Sequence, residues 1–316
     1  MAPSPASLTV VILARNEARH IGRAMTSLRR LAERIVVVDS GSSDDTRAIA
    51  KELGADVFER AWVNYADQFQ WALDNCAIAT DWTMRFDADE WLGDETVTDL
   101  LDMLPQLERT ITAISLDRQQ YFMGRWIRHG GRYPLRLLRI WRTGAGRIEQ
   151  RWMDEHIVIE QGGIRHVAGT FVDQNDHGLT YFIDKHNGYA TREALDALIG
   201  KYGLFDVPED AGLASTAQAK RMRKRKTGWY NRLPTGLGPL LYFLYRYFIQ
   251  LGFLDGRAGL IYHGLQGFWY RFLVDAKRME LEQAMESAKD NDERIAILAA
   301  ETGHDLRAFQ AARRLS

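Results

Sequence analysis

Apolar positions in the first hundred residues follow two alternating rhythms. Leu8 to Leu13 is a short, continuous, largely β-branched run, the pattern of a parallel strand buried on both faces. Ile21, Ala24, Met25, Leu28 and Leu31 then recur at helical spacing. Arg34 to Val38 reads as a second buried strand stopping at Asp39-Ser40-Gly41, and Ser42 with Asp45 fits a capping box opening a helix that ends near Gly54. Further strands are predicted over 55–58 and 82–86, with helices over 65–79 and 94–107. This alternation builds right-handed βαβ crossovers, hence an α/β fold with a mostly parallel central sheet. Ligands of such sheets bind outside the carboxyl ends of the strands. Polar residues gather at three of those ends: Arg15-Asn16-Glu17, Asp39-Ser40-Gly41 and Asp87-Ala88-Asp89.

Beyond residue 179 the pattern turns helical. A helix is predicted from near Thr180, with Phe182, Tyr189, Ala190 and Leu195 as a packing face; Lys185-His186-Asn187 within it reads as packing. Segment 218–232 carries seven basic residues and no acidic one. Leu237, Leu240, Leu241, Leu244, Phe248 and Leu251 then recur at helical spacing. A turn over 252–259 leads to a second, antiparallel helix over 260–274. Arg246 and Gln250 interrupt the apolar stretch, which argues against a transmembrane span. Amphipathic aromatic helices over 236–275 beside a basic cluster suit a membrane interface, with Lys220, Arg221, Arg223, Lys224, Arg225, Lys226 and Trp229 meeting an anionic surface. A helical cap that packs these aromatics into its own core is the competing reading. Residues 275–316 return to a charged helical composition, a polar tail or a cap on the bundle.

Composition sharpens this picture at two points. A formal net charge of −1 offers no argument for nucleic acid, yet the acids lie at strand ends while the bases cluster in 218–232. The single cysteine, Cys76, excludes an internal disulfide or a thiolate zinc site. Met1 to Ser7 lacks a signal-peptide pattern, so the cytoplasm is the expected compartment.

Asp87 and Asp89, two residues apart beyond a strand, repel each other unless a cation relieves them. Mg²⁺ or Mn²⁺ does so and completes its shell with substrate phosphates, so the pair implies a metal-bound diphosphate; a helix cap or solvated turn is the structural alternative. Asp39 offers acceptors to a nucleobase or ribose, or else closes an Asx-turn. No glycine-rich dinucleotide or P-loop motif occurs at these strand ends.

Thr9 to Glu17, Ile35 to Thr46 and Trp82 to Glu90 together resemble family 2 glycosyltransferases of the GT-A fold. Gly130-Gly-Arg-Tyr-Pro134, Arg139 and Asp154-Glu-His156 extend the resemblance to bacterial enzymes that add sugars to lipopolysaccharide core or related envelope glycans. The resemblance implies a GT-A nucleotide-sugar-binding domain over 1–178, and the helical, basic and aromatic pattern beyond it predicts a C-terminal membrane-associating region over 179–316. It implies Asp39 at the uracil or ribose, Asp87 at the ribose or metal, Asp89 at the metal, and Ala14, Asn16 and Glu17 lining the base and ribose pocket. Gln68-Phe69-Gln70 departs from the basic residue and asparagine that relatives often carry.

Inverting sugar transfer needs a carboxylate to take the acceptor proton, and Asp154 or Glu155 is the candidate base. His156 joins the metal, orients the base or serves structure. Arg139 binds diphosphate or acceptor, or belongs to the solvated face of an edge strand. The expected partners are a UDP-sugar and a lipid-linked or lipopolysaccharide-type glycan at the cytoplasmic membrane face. A nucleotidyltransferase and a non-enzymatic membrane scaffold are the alternatives; the first lacks its glycine-rich loop after strand one.

Overall fold

The computed structural model describes residues 6–149, 155–205 and 236–307. Its core is a nine-stranded sheet ordered β3-β2-β1-β4-β8-β6-β11-β5, with β7 paired to β6. β1 (Ala6–Ala14), β2 (Ala32–Asp39), β3 (Asp56–Glu59) and β4 (Trp82–Asp87) run parallel, and the apolar runs Val10–Ile12 and Val36–Val38 put β1 and β2 in the buried middle of that half. β8 (Arg136–Arg142) lies antiparallel between β4 and β6 (Ile111–Phe122). β11 (Gly163–Gln174) returns parallel to β6, and β5 (Glu90–Leu92) closes the far edge. β7 (Arg125–Trp126) is a short appendage, and β9 (Gly146–Ile148) pairs with β10 (Ile157–Ile159) separately.

Alternation along β1 sends Val10 and Ile12 to one face and Val11 to the other. The first face is covered by α1 (Ile21–Leu28), α2 (Thr46–Glu52) and α4 (Asp94–Met103). The second is covered by α3 (Tyr65–Asn75) through Ala66, Phe69 and Ala72, which pack with buried Trp141 of β8.

Three local expectations are corrected. The Ser42/Asp45 capping box does not form: the Ser42 hydroxyl accepts from the Asn16 N–H and donates to Asp39, and the N-cap of α2 is Asp45, which makes no side-chain cap bond. α3 stops at Asn75 because Ala77 adopts φ +47° while Arg34 donates to the carbonyls of Cys76 and Ala77 at 2.7 and 3.0 Å. β8 is an interior strand, and Arg139 on it is 4% exposed, so the solvated-edge reading fails.

After β11 the chain is helical. α5 (Leu179–Tyr202) packs on α8 (Tyr270–Ala284) through Ala190, Tyr270 and Val274. α9 (Asn291–Thr302) joins their far ends through Ile295 and Leu298, so this part of the tail caps the bundle. The two aromatic helices form an antiparallel hairpin: α6 (Leu237–Leu244) faces the segment around Gly267, where an added Cβ would lie 3.6 Å from the Phe243 Cα. Neither arm is a continuous α-helix. Each passes into a π-helical turn, Tyr245–Ile249 in the first and Gly264–Trp269 after α7 (Gly256–His263) in the second. Among the described residues no helix is long and apolar enough to cross a membrane. The basic residues Lys220, Arg221, Arg223, Lys224, Arg225 and Lys226, and Trp229, lie outside the described residues.

Candidate active site

Strand register assembles the site. β1 places Ala14 beside Asp39 of β2 and Leu13 beside Asp87 of β4, so three polar strand ends reach one level. They border a cavity of about 1290 Å³ that extends from Ala14, Glu17, Asp87 and Asp89 past β6 and α5 to the hairpin.

The first two strand ends are locked to each other. Asn16 adopts φ +57°, a left-handed conformation that asparagine tolerates better than most residues. Its N–H donates to the Ser42 hydroxyl at 2.8 Å, and its Oδ1 accepts from the Ser43 N–H at 2.8 Å. Asp39 is fully buried and forms the Asx-turn: Oδ1 accepts from the N–H groups of Gly41 and Ser42 at 3.1 and 2.8 Å, and Oδ2 from the Ser42 hydroxyl. Asp39 thus stands behind the cavity wall and Asn16 is exposed beside it, while Ala14 and Glu17 line it. Gln68, where the family pattern departs, reaches Ser40 Oγ at 3.1 Å and accepts from Arg60 at 2.9 Å.

Asp87 accepts from the Tyr65 hydroxyl at 2.8 Å and lies 3.9 Å from both Arg85 and Arg139. Burial would raise its pKa, but the two guanidinium groups outweigh burial and hold the carboxyl below its ordinary range. Asp89 accepts from Asn175 Nδ2 at 2.9 Å. Arg139 donates to Glu90 at 2.5 Å and lies over the Phe171 ring. Arg85 stacks over Tyr65 at 4.4 Å and donates to the Glu155 carbonyl at 2.9 Å, which holds Glu155 at the cavity wall. His156 lies 3.7 Å from Glu149. Asp154 falls outside the described residues.

Sequence reasoning missed several residues here. His20 is fully buried; its Nδ1 bonds Glu17 at 2.6 Å and its Nε2 accepts from the Asp176 N–H at 2.9 Å, an arrangement that assigns the proton to Nδ1. With His177 it completes a cluster whose ligand atoms lie within 4.8 Å of one another. Asp173 faces Arg118 at 3.3 Å, and burial pushes its carboxyl up. Lys185 of α5 sits between the rings of Tyr181 and Tyr189, 5.8 and 5.9 Å from their centroids. Burial opposes its charge, yet Tyr189, Asp89, Tyr181 and Glu17 together keep it firmly protonated. The i, i+4, i+8 spacing of Tyr181, Lys185 and Tyr189 was the available signal.

The model for glycosyl transferase family 2 matches residues 9–172. An uncharacterized glycosyltransferase of Rickettsia felis is 41% identical over 88 residues, 28% of this chain and 30% of that protein. The chain thus matches about 30% of the length of the first curated relatives. The lipopolysaccharide core biosynthesis glycosyltransferase LpsC of Rhizobium meliloti is 29% identical over 276 residues, 85% of this chain and 91% of that protein. Among solved structures, glucosyl-3-phosphoglycerate synthase of Mycobacterium tuberculosis in complex with phosphoglyceric acid is a distant likeness: TM-score 0.42 and 17% identity, covering 64% of this chain and 81% of that one. With a family match that begins in β1, ends in β11 and spans more than half of its residues, the chain belongs to glycosyl transferase family 2.

Proposed function

We propose that the protein is an inverting, metal-assisted hexosyltransferase. It moves a hexose from a UDP-sugar to a lipid-linked or lipopolysaccharide-type glycan, as a peripheral protein at the cytoplasmic face of the inner membrane. The observation that carries this reading is the continuity of one cavity from the acidic strand ends to the aromatic hairpin, which gives donor and acceptor a common chamber. The likeness to LpsC over most of both chains supports the acceptor class.

The donor set fits a divalent cation. Asp89 presents a carboxylate oriented by Asn175, two residues from Asp87. Carboxylate oxygens suit Mg²⁺ and Mn²⁺. Asp89 and Asp87 would hold the ion; His177 belongs to a cluster with Glu17 and His20 that includes neither aspartate, and His156 is set against Glu149. When bound, the ion offsets charge on the diphosphate.

The chain's own groups divide the remaining work. Ala14 and Glu17 border the nucleoside, with Asn16 and Asp39 holding that wall in shape. Lys185 faces the departing diphosphate, and Arg139 supports the turn from below. A carboxylate of the Asp154–Glu155 pair takes the proton from the acceptor hydroxyl as its oxygen bonds the anomeric carbon; the bond to the diphosphate breaks on the opposite face and its electron pair leaves with UDP. Leu240, Leu241, Leu244, Phe248 and Ile249 of the hairpin are exposed, an apolar surface suited to the interface of an anionic leaflet.

Titration calorimetry with UDP and Mn²⁺ or Mg²⁺, followed by a screen of UDP-sugars for metal-dependent hydrolysis, tests the reading. Metal-dependent UDP binding with turnover of one donor is expected. Absence of UDP binding with either ion overturns it.

A further inference from the structure

Half of the cations that line the cavity pair with a carboxylate. Arg118 meets Asp173, Arg139 meets Glu90, and Arg271 meets Glu193 at 2.6 Å. Two at the hairpin end differ. Arg246 is 5% exposed; its Nε donates to the Gly130 carbonyl at 2.7 Å, while its buried Nη2 has no hydrogen-bond partner. Arg132 donates from Nη2 to Gln120 at 3.3 Å, and its buried Nε is likewise unpartnered. Among the described residues neither pairs with a carboxylate. Each lies over a tyrosine ring, Arg132 over Tyr262 at 5.4 Å and Arg246 over Tyr242 at 5.5 Å, and all four residues line the cavity.

The two π-helical turns give this placement a cause. Arg246 stands in one and Gln266, also on the cavity wall, in the other. A π-turn inserts a residue and shifts the side chains beyond it out of α-helical register, and such turns concentrate at functional sites. An otherwise apolar hairpin therefore directs polar groups from both of its irregular turns into the chamber. A buried guanidinium with unmatched N–H groups is unfavourable until an anion compensates it. Its planar fork suits the oxygens of phosphate or carboxylate.

We propose that Arg132 and Arg246, flanked by Tyr242, Tyr262 and Gln266, form an oxyanion subsite apart from the donor pocket, which holds a phosphate or carboxylate carried by the acceptor. The subsite rests on the transferase reading only in naming the acceptor as the carrier. Anchoring that group at the hairpin end orients the acceptor as it enters the chamber.

The test titrates inorganic phosphate into the full-length protein held with saturating UDP and Mg²⁺, followed by calorimetry, for wild type, Arg132→Gln and Arg246→Lys. Wild type is expected to bind phosphate with UDP in place, and Arg132→Gln to weaken it at least fivefold with UDP affinity retained. Arg246→Lys keeps one charge and should fall between them. Phosphate binding that only competes with UDP, or that is equal in wild type and Arg132→Gln, overturns the subsite. If wild type fails to bind UDP, the donor reading falls, while the Arg132 dependence of phosphate binding still decides the subsite. Phosphatidylglycerol vesicles identify the source: a lipid headgroup makes vesicle binding depend on Arg132, whereas a glycan-borne anion leaves it unchanged.

Discussion

Arg139 donates from Nη2 to Glu90 Oε1 at 2.5 Å, and both side chains are buried next to the Asp87–Asp89 turn. Glu90 Oε2 in turn accepts from the Asp87 N–H at 2.9 Å, so a buried ion pair holds the residue that starts the acidic turn. Removing one partner of such a pair typically costs about 3–5 kcal/mol. Burial already pushes the Glu90 carboxyl well above the usual carboxylate range, so Arg139→Met lets it take up a proton and the loss falls near the lower limit, about 3 kcal/mol. Denaturant unfolding measures this; an unchanged midpoint would show that the pair contributes nothing.

Asn175 orients Asp89 without being a carboxylate itself. Replacing such a supporting partner commonly weakens metal affinity 10- to 100-fold. Asp89→Ala should remove the metal dependence of UDP binding, and Asn175→Ala should weaken it by about tenfold. Calorimetry with and without Mn²⁺ reads both. Equal metal dependence in wild type and Asp89→Ala would remove Asp89 from the metal site.

The left-handed backbone of Asn16 makes a separate forecast. Asn16→Gly keeps the backbone accessible and loses only the bond from Ser43, whereas Asn16→Val adds a β-branched strain of about 1–2 kcal/mol. Thermal unfolding should rank Asn16→Val below Asn16→Gly. The reverse order would mean that the turn relaxes freely.

Burial, with the Arg246 guanidinium beside it, pushes the His263 imidazole down to about 4; Asp255 opposes this, and Arg132 and His129 add to it. The unfolded chain protonates His263 near its ordinary value of about 6.5. Stability from the neutral ring is therefore complete above pH 6.5 and is lost progressively as pH falls toward 4. Melting temperatures of wild type should drop more steeply across that window than those of His263→Gln. Parallel curves would exclude His263 as the source.

Each basic residue near an anionic leaflet contributes on the order of 1 kcal/mol. Neutralising Lys220, Arg221, Arg223, Lys224, Arg225 and Lys226 should abolish sedimentation with phosphatidylglycerol vesicles, and Phe248→Asp should weaken it through the apolar face alone. Undiminished sedimentation of both variants would assign the hairpin surface to another partner.

β1 and β2 were legible because they are buried on both faces, which leaves apolar runs that end at polar turns. Residues whose partners lie far along the chain were not. Arg139 allowed a solvated edge beside its reading as a diphosphate or acceptor ligand, yet it meets Glu90 in the interior, and on the same strand Arg142 lies over Trp82 at 4.1 Å while donating to the Leu107 carbonyl at 3.0 Å. Local spacing assigned Ser42 to a helix cap, but its hydroxyl donates to Asp39 at its own strand end and accepts from the Asn16 N–H at the end of β1. Lys185 passed for packing because the acids that act on it, Asp89 and Glu17, follow strands that lie far earlier in the chain.

The pairing of β5 with β11 sets Glu90, Trp91 and Leu92 against Asp173, Val172 and Phe171, contacts about eighty residues apart. Such distant pairings form late, after shorter loops have closed. While the chain emerges from the ribosome, the nucleoside end can take shape first, but the strand that backs the acidic turn must wait for residue 173. Synthesis of β11 thereby acts as a timing device: a nascent chain that stops short of it has the acids for a metal and a diphosphate without the scaffold that aims them.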